Sequence, residues 1–241
     1  MSDESERFSG ENGAGEATGS ENTANLNTVN LVVFHGYGTP RRLYLSGRVL
    51  RNAPDVAVMG ASVLRNLAAA TTDLRTWQEV CERSAAILET NPRDLPFAMI
   101  YTVSEDGKSA LLGGSVGIAR GHAGAPATLP LDETACWPID AALRSHSPVL
   151  VDDLTAKFGA LPTGVWKSPP TKALVLPILS GEGGRVGALV VGVNPFRLLD
   201  GEFQGFLSLA AGQIGAAIAI ADAYQAQAQR AEKLAEIDRA K

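Results

Sequence analysis

Cysteine is scarce in this sequence: two in 241 residues, Cys81 and Cys136. That excludes a disulfide scaffold and fits a reducing compartment. Histidine is as sparse. His35, His122 and His146 are spread out with no paired-ligand spacing, so the sequence points to no metal or haem centre. There is no excess of positive charge either. The first 30 residues hold six acids (Asp3, Glu4, Glu6, Glu11, Glu16, Glu21) against Arg7, and the remainder holds 20 acids and 20 bases. A neutral body gives no compositional case for nucleic acid. No apolar run reaches the length of a membrane span, and the N-terminus lacks a basic-then-apolar leader. The expectation is a cytoplasmic protein without membrane, nucleic-acid, metal or cofactor partners.

What the sequence does have is organised around Lys172–Pro195. Two apolar runs, Ala173–Leu179 and Val186–Val193, flank the turn cluster SGEGGR. Short β-branched runs around a Gly-rich gap predict a hairpin. Neither run alternates, so both faces of this hairpin are expected to be covered. Helices are expected on one face. Loops over the other leave room for a small-molecule chamber.

Residues 1–27 are Gly, Ser, Glu, Asn and Thr with almost no large apolar side chains, which predicts a disordered acidic tail. Val29–Phe34 and Arg42–Ser46 read as two strands around HGYGTP, with His35 in the turn. From Gly60 to Thr90, Leu64, Leu67, Thr71, Leu74, Gln78, Cys81, Ala85 and Leu88 recur at helical steps. Thr72–Asp73 is a candidate N-cap that divides this stretch. Cys81 falls on the apolar stripe, where a small core residue is expected. Phe97–Val103 and Ala110–Gly117 read as strands, and residues 121–134 as a long loop. Ile139–His146 reads as a short helix entered through Trp137-Pro138, and Pro148–Val151 as a strand. The loop FGALPTGVWKSPP follows. Loops of that length in compact domains are commonly functional.

The last segment predicts one helix from Gly201 to Lys241. Phe203, Leu207, Ala210, Ile214, Ala217, Ala221, Tyr224, Ala228, Ala231 and Ala235 step by fours and threes, a heptad seam. Up to Ala223 the helix is apolar enough to lie on a sheet. Beyond it, QAQAQRAEKLAEIDRAK is polar except for the seam. It is expected to project and to pair with a second copy in a homodimer.

Four stretches carry a family resemblance: NPRDLPFAMIY (residues 91–101), WPIDAALRSHSPVLVDDL (137–154), LPTGVWKSPPTKALVLPI (161–178) and GALVVGVNPFRLLDGEFQGFLSLAAGQIGAAIAIADAY (187–224). Together they resemble the GAF domain of PAS- and GAF-containing hybrid sensor histidine kinases. The ending RAEKLAEIDRAK is similar to the linker that enters the kinase. The resemblance implies an α+β fold: a GAF-like antiparallel sheet, long N- and C-terminal helices on one face, and a loop-covered pocket on the other. It divides the chain into an acidic tail (1–27), a hairpin resembling the end of a PAS domain (28–59), a GAF domain (60–223) and a projecting signalling helix (224–241). It implies a non-catalytic sensor or relay module of a two-component signalling protein. The chain stops where the kinase would start, and no histidine follows His146, so no phosphoacceptor or ATP site is expected.

Tyr101, Trp137, Asp152 and Trp166 are the candidate lining of a ligand chamber, with Trp166 expected to point inward from its proline-rich loop. The alternative left open is that both Trp side chains plug the sheet face. Cys136, in the loop before Trp137, supports a second class of function: a small thiol-based or chromophore-binding protein on the same fold. It lacks the following His that bilin-binding GAF domains have, and a thiol-recycling enzyme needs a resolving partner. The Asn-Lys…Phe…Asp-Glu set of cyclic-nucleotide GAF domains is also missing, since Pro195 follows Asn194.

Overall fold

The computed structural model describes residues 28–33, 41–46, 56–69, 74–179, 186–197 and 199–239, with side chains omitted for 28–33, 41–46 and 56–59. The acidic tail and His35 lie outside the described residues. β1 (Thr28–Val33) and β2 (Arg41–Ser46) form the expected antiparallel pair in a sheet of their own. The main body contains α1 (Val56–Ala69), α2 (Trp77–Leu88), β3 (Ala98–Val103), β4 (Ser109–Val116) and β5 (Thr128–Pro130). After these come α3 (Ile139–Ser145), β6 (Val149–Val151), α4 (Leu154–Phe158), β7 (Ala173–Ile178), β8 (Gly187–Gly192) and α5 (Gly201–Arg239). Six strands pair antiparallel in the order β5-β4-β3-β8-β7-β6. The predicted hairpin supplies β7 and β8, and β8 sits at the centre beside β3. This is the α+β architecture that the sequence implied.

The central strands are buried throughout: every residue of β8, and all of β3 but its last. Alternate side chains therefore enter two separate apolar layers. Ala98, Ile100, Leu174, Leu176, Ile178, Leu189 and Val191 face the helices α1, α2 and α5. Met99, Tyr101, Ala173, Val175, Ala188 and Val190 face α3, α4 and the loops.

On the helix side the backbones come close. Between Ile100 and Tyr101 the register shifts, so Gly113 is left without a partner in β3. A Cβ on Gly113 would lie 2.7 Å from the Cys81 Cβ, and one on Gly114 would overlap the Cys81 carbonyl. Only glycine lets α2 settle on the bulged strand there. Cys81 is fully buried beneath it, as its place on the stripe predicted.

Two sequence expectations are corrected here. The helical stretch does break, but α2 takes its cap from Thr76; Thr72–Asp73, the expected cap, lies outside the described residues. Thr76 Oγ1 accepts from Glu79 N (3.2 Å) while Glu79 Oε2 accepts from Thr76 N (3.2 Å), a capping box. The long loops also hold two short elements that were not foreseen, β5 and α4. Three and five residues are too short to show a period, and β5 exists because β4 offers it a partner edge.

α5 is a single helix of 39 residues, about 58 Å at the usual rise. Asp200 Oδ1 accepts from Phe203 N (2.8 Å) at its start. Phe203, Leu207, Ala210 and Ile214 are buried, against β7 and β8 and against α1 and α2. After Ala221 no residue of α5 is fully buried. In length and composition α5 does pass for a membrane-crossing helix, which the sequence was not expected to contain. Its apolar stripe rests on the sheet instead.

Candidate functional site

The second buried layer lies where a chamber was expected. Among its aliphatic side chains it holds four aromatic rings, Phe97, Tyr101, Trp137 and Phe158. Trp137 is 0% exposed and stacks on Phe158 at 4.7 Å, with Phe97 tilted at 6.4 Å. α3 and the loop before it deliver Trp137 to the sheet, and α4 delivers Phe158. A buried indole needs a partner for its N–H. Trp137 Nε1 donates to the Gly124 carbonyl at 2.8 Å. Tyr101, on the same sheet face, donates its hydroxyl to the Pro126 carbonyl at 3.0 Å. Burial pushes the Tyr101 phenol well above its ordinary range, the nearby Cys136 adds to that, and Arg120 opposes it.

Of the four residues singled out in the sequence, the structure brings two together here, Tyr101 and Trp137. Both are fully covered in this conformation. Asp152 is placed elsewhere. It follows β6 on the surface and pairs with Lys172 at 3.2 Å, with both side chains more than half exposed. The expectation for Trp166 is also corrected. It does not enter the buried layer. Its Nε1 donates to the Arg93 carbonyl (2.8 Å) and its ring packs on Phe196 (5.4 Å), which is 69% exposed. Asn194 Nδ2 donates to the same carbonyl at 2.8 Å. Behind this carbonyl Arg197 Nη1 meets Asp94 Oδ1 at 2.6 Å. Trp166 is thus part of a buttress across the ends of β3 and β8.

The sequence missed the residues that hold the loop over Trp137. Arg120 donates to the carbonyls of Leu112 (3.1 Å) and Gly113 (2.8 Å). His122 Nδ1 accepts from Gly124 N (3.0 Å), so its Nε2 carries the proton and donates to the Ala160 carbonyl (3.1 Å). These are side-chain bonds to backbone atoms, the one to Ala160 spanning 38 residues, and composition carries no signal for them.

Cys136 is half-buried at the edge of the same layer. Burial pushes its thiol up, against the pull of Lys157. Cys81 belongs to the layer on the opposite face of the sheet. A sheet separates the two sulfurs, and packed layers sit about 10 Å apart, so they cannot meet as a redox pair in this fold. Among the described residues no three His, Cys, Asp or Glu side chains gather into a metal-binding group. Two surface clefts open on the α2 side, neither lined by any of the four candidates. One of about 160 Å³ lies between α2 and the end of β4, and one of about 500 Å³ lies between the start of α2 and the β3–β4 turn.

Comparison with solved structures finds the same fold. The GAF domain of an Acinetobacter phosphoenolpyruvate-protein phosphotransferase has a TM-score of 0.51 at 18% identity, covering 68% of this chain and 95% of that one. The corresponding GAF domain from Coxiella burnetii has a TM-score of 0.52 at 18% identity, covering 71% and 99%. The free methionine-R-sulfoxide reductase of Neisseria meningitidis, solved with its substrate, has a TM-score of 0.53 at 18% identity, covering 75% and 98%. A search of curated proteins gives no match. The GAF domain family model matches residues 75–219, from the residue before the α2 cap to the buried part of α5. That match spans more than half of the sequence and the whole six-stranded sheet, and the chain therefore belongs to the GAF domain family.

Proposed function

We propose that this chain is a non-catalytic sensor or relay module of a histidine-kinase-type signalling protein, working in the cytoplasm. The GAF domain is a sensor and regulatory fold. The observation that carries the reading is the division of α5. Its first half is part of the core, and its second half leaves the domain, polar except for one apolar seam. A helix anchored in a sheet at one end and free at the other suits transmission of a change in the domain. Its role is to pair with a second copy and pass that change on. Ala221 is fully buried in its own domain and is not available for pairing. The exposed apolar residues Ile220, Tyr224, Leu234 and Ile237 are the better seam, with Ala231 between them. The input is a small molecule held near Tyr101 and Trp137. Nucleic acid, membrane and metal have no part in this reading.

Sedimentation of the full chain against a version ending at Ala223 tests the pairing. The full chain is expected to dimerise weakly at high micromolar concentration and the short one to stay monomeric. Monomers in both cases remove the helix as a self-association element. Mass spectrometry of natively purified protein tests for the ligand.

A thiol-based activity at Cys136 is the second reading. The fold likeness to a methionine-R-sulfoxide reductase favours it, and the separation of Cys81 from Cys136 argues against it. Titration of free thiols before and after addition of free methionine sulfoxide separates the two readings. Loss of thiol on addition supports the enzyme.

A further inference from the structure

Phe196 is the most exposed large apolar side chain among the described residues, at 69%, and it does not stand alone. The Trp166 ring packs on it at 5.4 Å, and Val165, beside Trp166, is 55% exposed. Single apolar residues are ordinary on a surface, whereas a cluster of them marks an interaction site. This cluster is fixed in place. The Arg93 carbonyl accepts from both Trp166 Nε1 and Asn194 Nδ2, and Asn194 Oδ1 accepts from Phe196 N, each at 2.8 Å. Gly164, at φ +59°, seats the loop on the chain before β3: a Cβ there would lie 3.2 Å from the Pro96 Cα. Both rings are thus set around one backbone carbonyl before any partner arrives, and a preorganised surface loses little freedom on binding.

Two cations accompany the rings. Arg93 supplies the anchoring carbonyl and Lys167 follows Trp166 in sequence. Both side chains are exposed, and neither has an ion pair among the described residues. Arg197 differs, being engaged by Asp94 at 2.6 Å and lying over the Phe203 ring at 4.2 Å. Aromatic rings with arginine are the composition of interface centres.

We propose that this patch is the docking site of the chain's own acidic segment, residues 1–27, with Phe8 against Trp166 and Phe196 and the neighbouring acids facing Arg93 and Lys167. That segment lies outside the described residues. Charge and composition select it as the occupant. The first 30 residues hold six acids and one base, whereas the remainder is balanced at 20 of each. Phe8 is the one aromatic residue before Phe34, and Asp3, Glu4, Glu6 and Glu11 flank it in sequence. An apolar anchor inside an acidic stretch complements two rings beside two unpaired cations. A second copy is a poorer occupant. A twofold contact through the same patch would set the cations of one copy against those of the other. Attachment in the same chain holds Phe8 near the patch at an effective concentration of about a millimolar. A contact too weak to last between separate molecules is therefore well populated within one.

The test uses the full chain labelled with nitrogen-15, read at the Trp166 indole N–H and at the amides of residues 3–12. Phe8→Ala is expected to move the Trp166 signal, and Phe196→Ala to move the amides around Phe8. Only a contact between the two regions couples those changes. Sodium chloride at about 0.5 M is expected to shift the wild-type Trp166 signal toward its Phe8→Ala position, because surface charge pairs are screened. A synthetic peptide of residues 1–12, added to the Phe8→Ala chain, is expected to shift the signal back. The same peptide with Phe8→Ala is expected to bind about tenfold more weakly. Arg93→Glu is the second patch variant, should Phe196→Ala fold poorly, and is expected to move the same amides. The proposal is overturned if the Trp166 signal is the same in the wild type and in Phe8→Ala, which would leave the patch to a separate partner. It is equally overturned if dilution of the wild type carries the signal to its Phe8→Ala position, which would make the patch a contact between copies.

Discussion

Both faces of the central strands β3 and β8 are buried, yet different elements cover them. On the helix side, aliphatic side chains from β3, β7 and β8 meet Leu67, Leu88, Leu207 and Ile214. Gly113 and Gly114 bring α2 into backbone contact with β4, and Gly215 brings α5 to the Leu179 carbonyl. The chamber side is covered by a short helix, a five-residue helix and loops. Its large groups are Trp137, Tyr101, Phe97 and Phe158. Trp137 and Tyr101 are tied by hydrogen bonds to the strap of residues 118–127 between β4 and β5. Close-packed aliphatic layers have one good arrangement and resist change. The sheet thus separates a face closed by long helices from one closed by short helices and polar-tethered loops.

Large-to-small substitutions on either side offer the strongest way to break this comparison. Phe203→Ala on the helix side and Trp137→Ala on the chamber side are each expected to destabilise by about 3–5 kcal/mol in urea unfolding. Hydrogen exchange then tells them apart. Trp137→Ala should also unprotect the Gly124–Ala127 amides locally, because the indole no longer holds the Gly124 carbonyl. Phe203→Ala should leave the strap as protected as the lowered global stability allows. Equal strap exchange at matched stability would show that the faces do not differ in this way.

A smaller effect sharpens the chamber side. Tyr101→Phe removes the bond to Pro126 O and is expected to cost about 1 kcal/mol at neutral pH. It should also change the alkaline limb. The Tyr101 phenol is raised above its ordinary value in the folded state, as is the Cys136 thiol. Their protonated forms are therefore favoured by folding. That stability is complete below the unfolded-state values, about 8.5 for a thiol and about 10 for a phenol, and is lost as pH rises beyond them. Urea midpoints should fall from about pH 9 upward in the wild type and fall less steeply in Tyr101→Phe. Identical slopes would mean that Tyr101 ionises as freely folded as unfolded.

The smallest expected effect is at Asp152. Its pair with Lys172 is exposed on both sides, so Asp152→Ala should change the urea midpoint by less than about 0.5 kcal/mol and leave the strap amides unmoved. A clear change in the Trp137 indole signal would return Asp152 to the chamber.

Trp137 and Trp166 show how far the sequence could be read at this site. Each sits in a loop rich in Gly or Pro, and each was a candidate to face inward. Trp137 reaches the sheet because α3 begins beside it, and the Gly124 carbonyl is there to accept its N–H. Trp166 finds the Arg93 carbonyl first, 73 residues away, at the end of the sheet. Residue type announced a large amphipathic ring in both cases. Which carbonyl lies within reach depends on how remote loops return to the sheet.

The sequence by itself determined the elements with a period or a bounded apolar run. β3, β4, β7 and β8, the stripe holding Cys81, and the change of character along α5 after Ala223 all follow from local patterning, whose physical basis is side-chain direction at fixed spacing. Only the tertiary structure decided what has no local period. It formed β5 and α4 from segments too short to declare themselves. It put the sheet between Cys81 and Cys136, exposed Asp152, and assembled the strap. Those outcomes rest on hydrogen bonds and contacts between residues far apart in the chain, formed only after the sheet has closed.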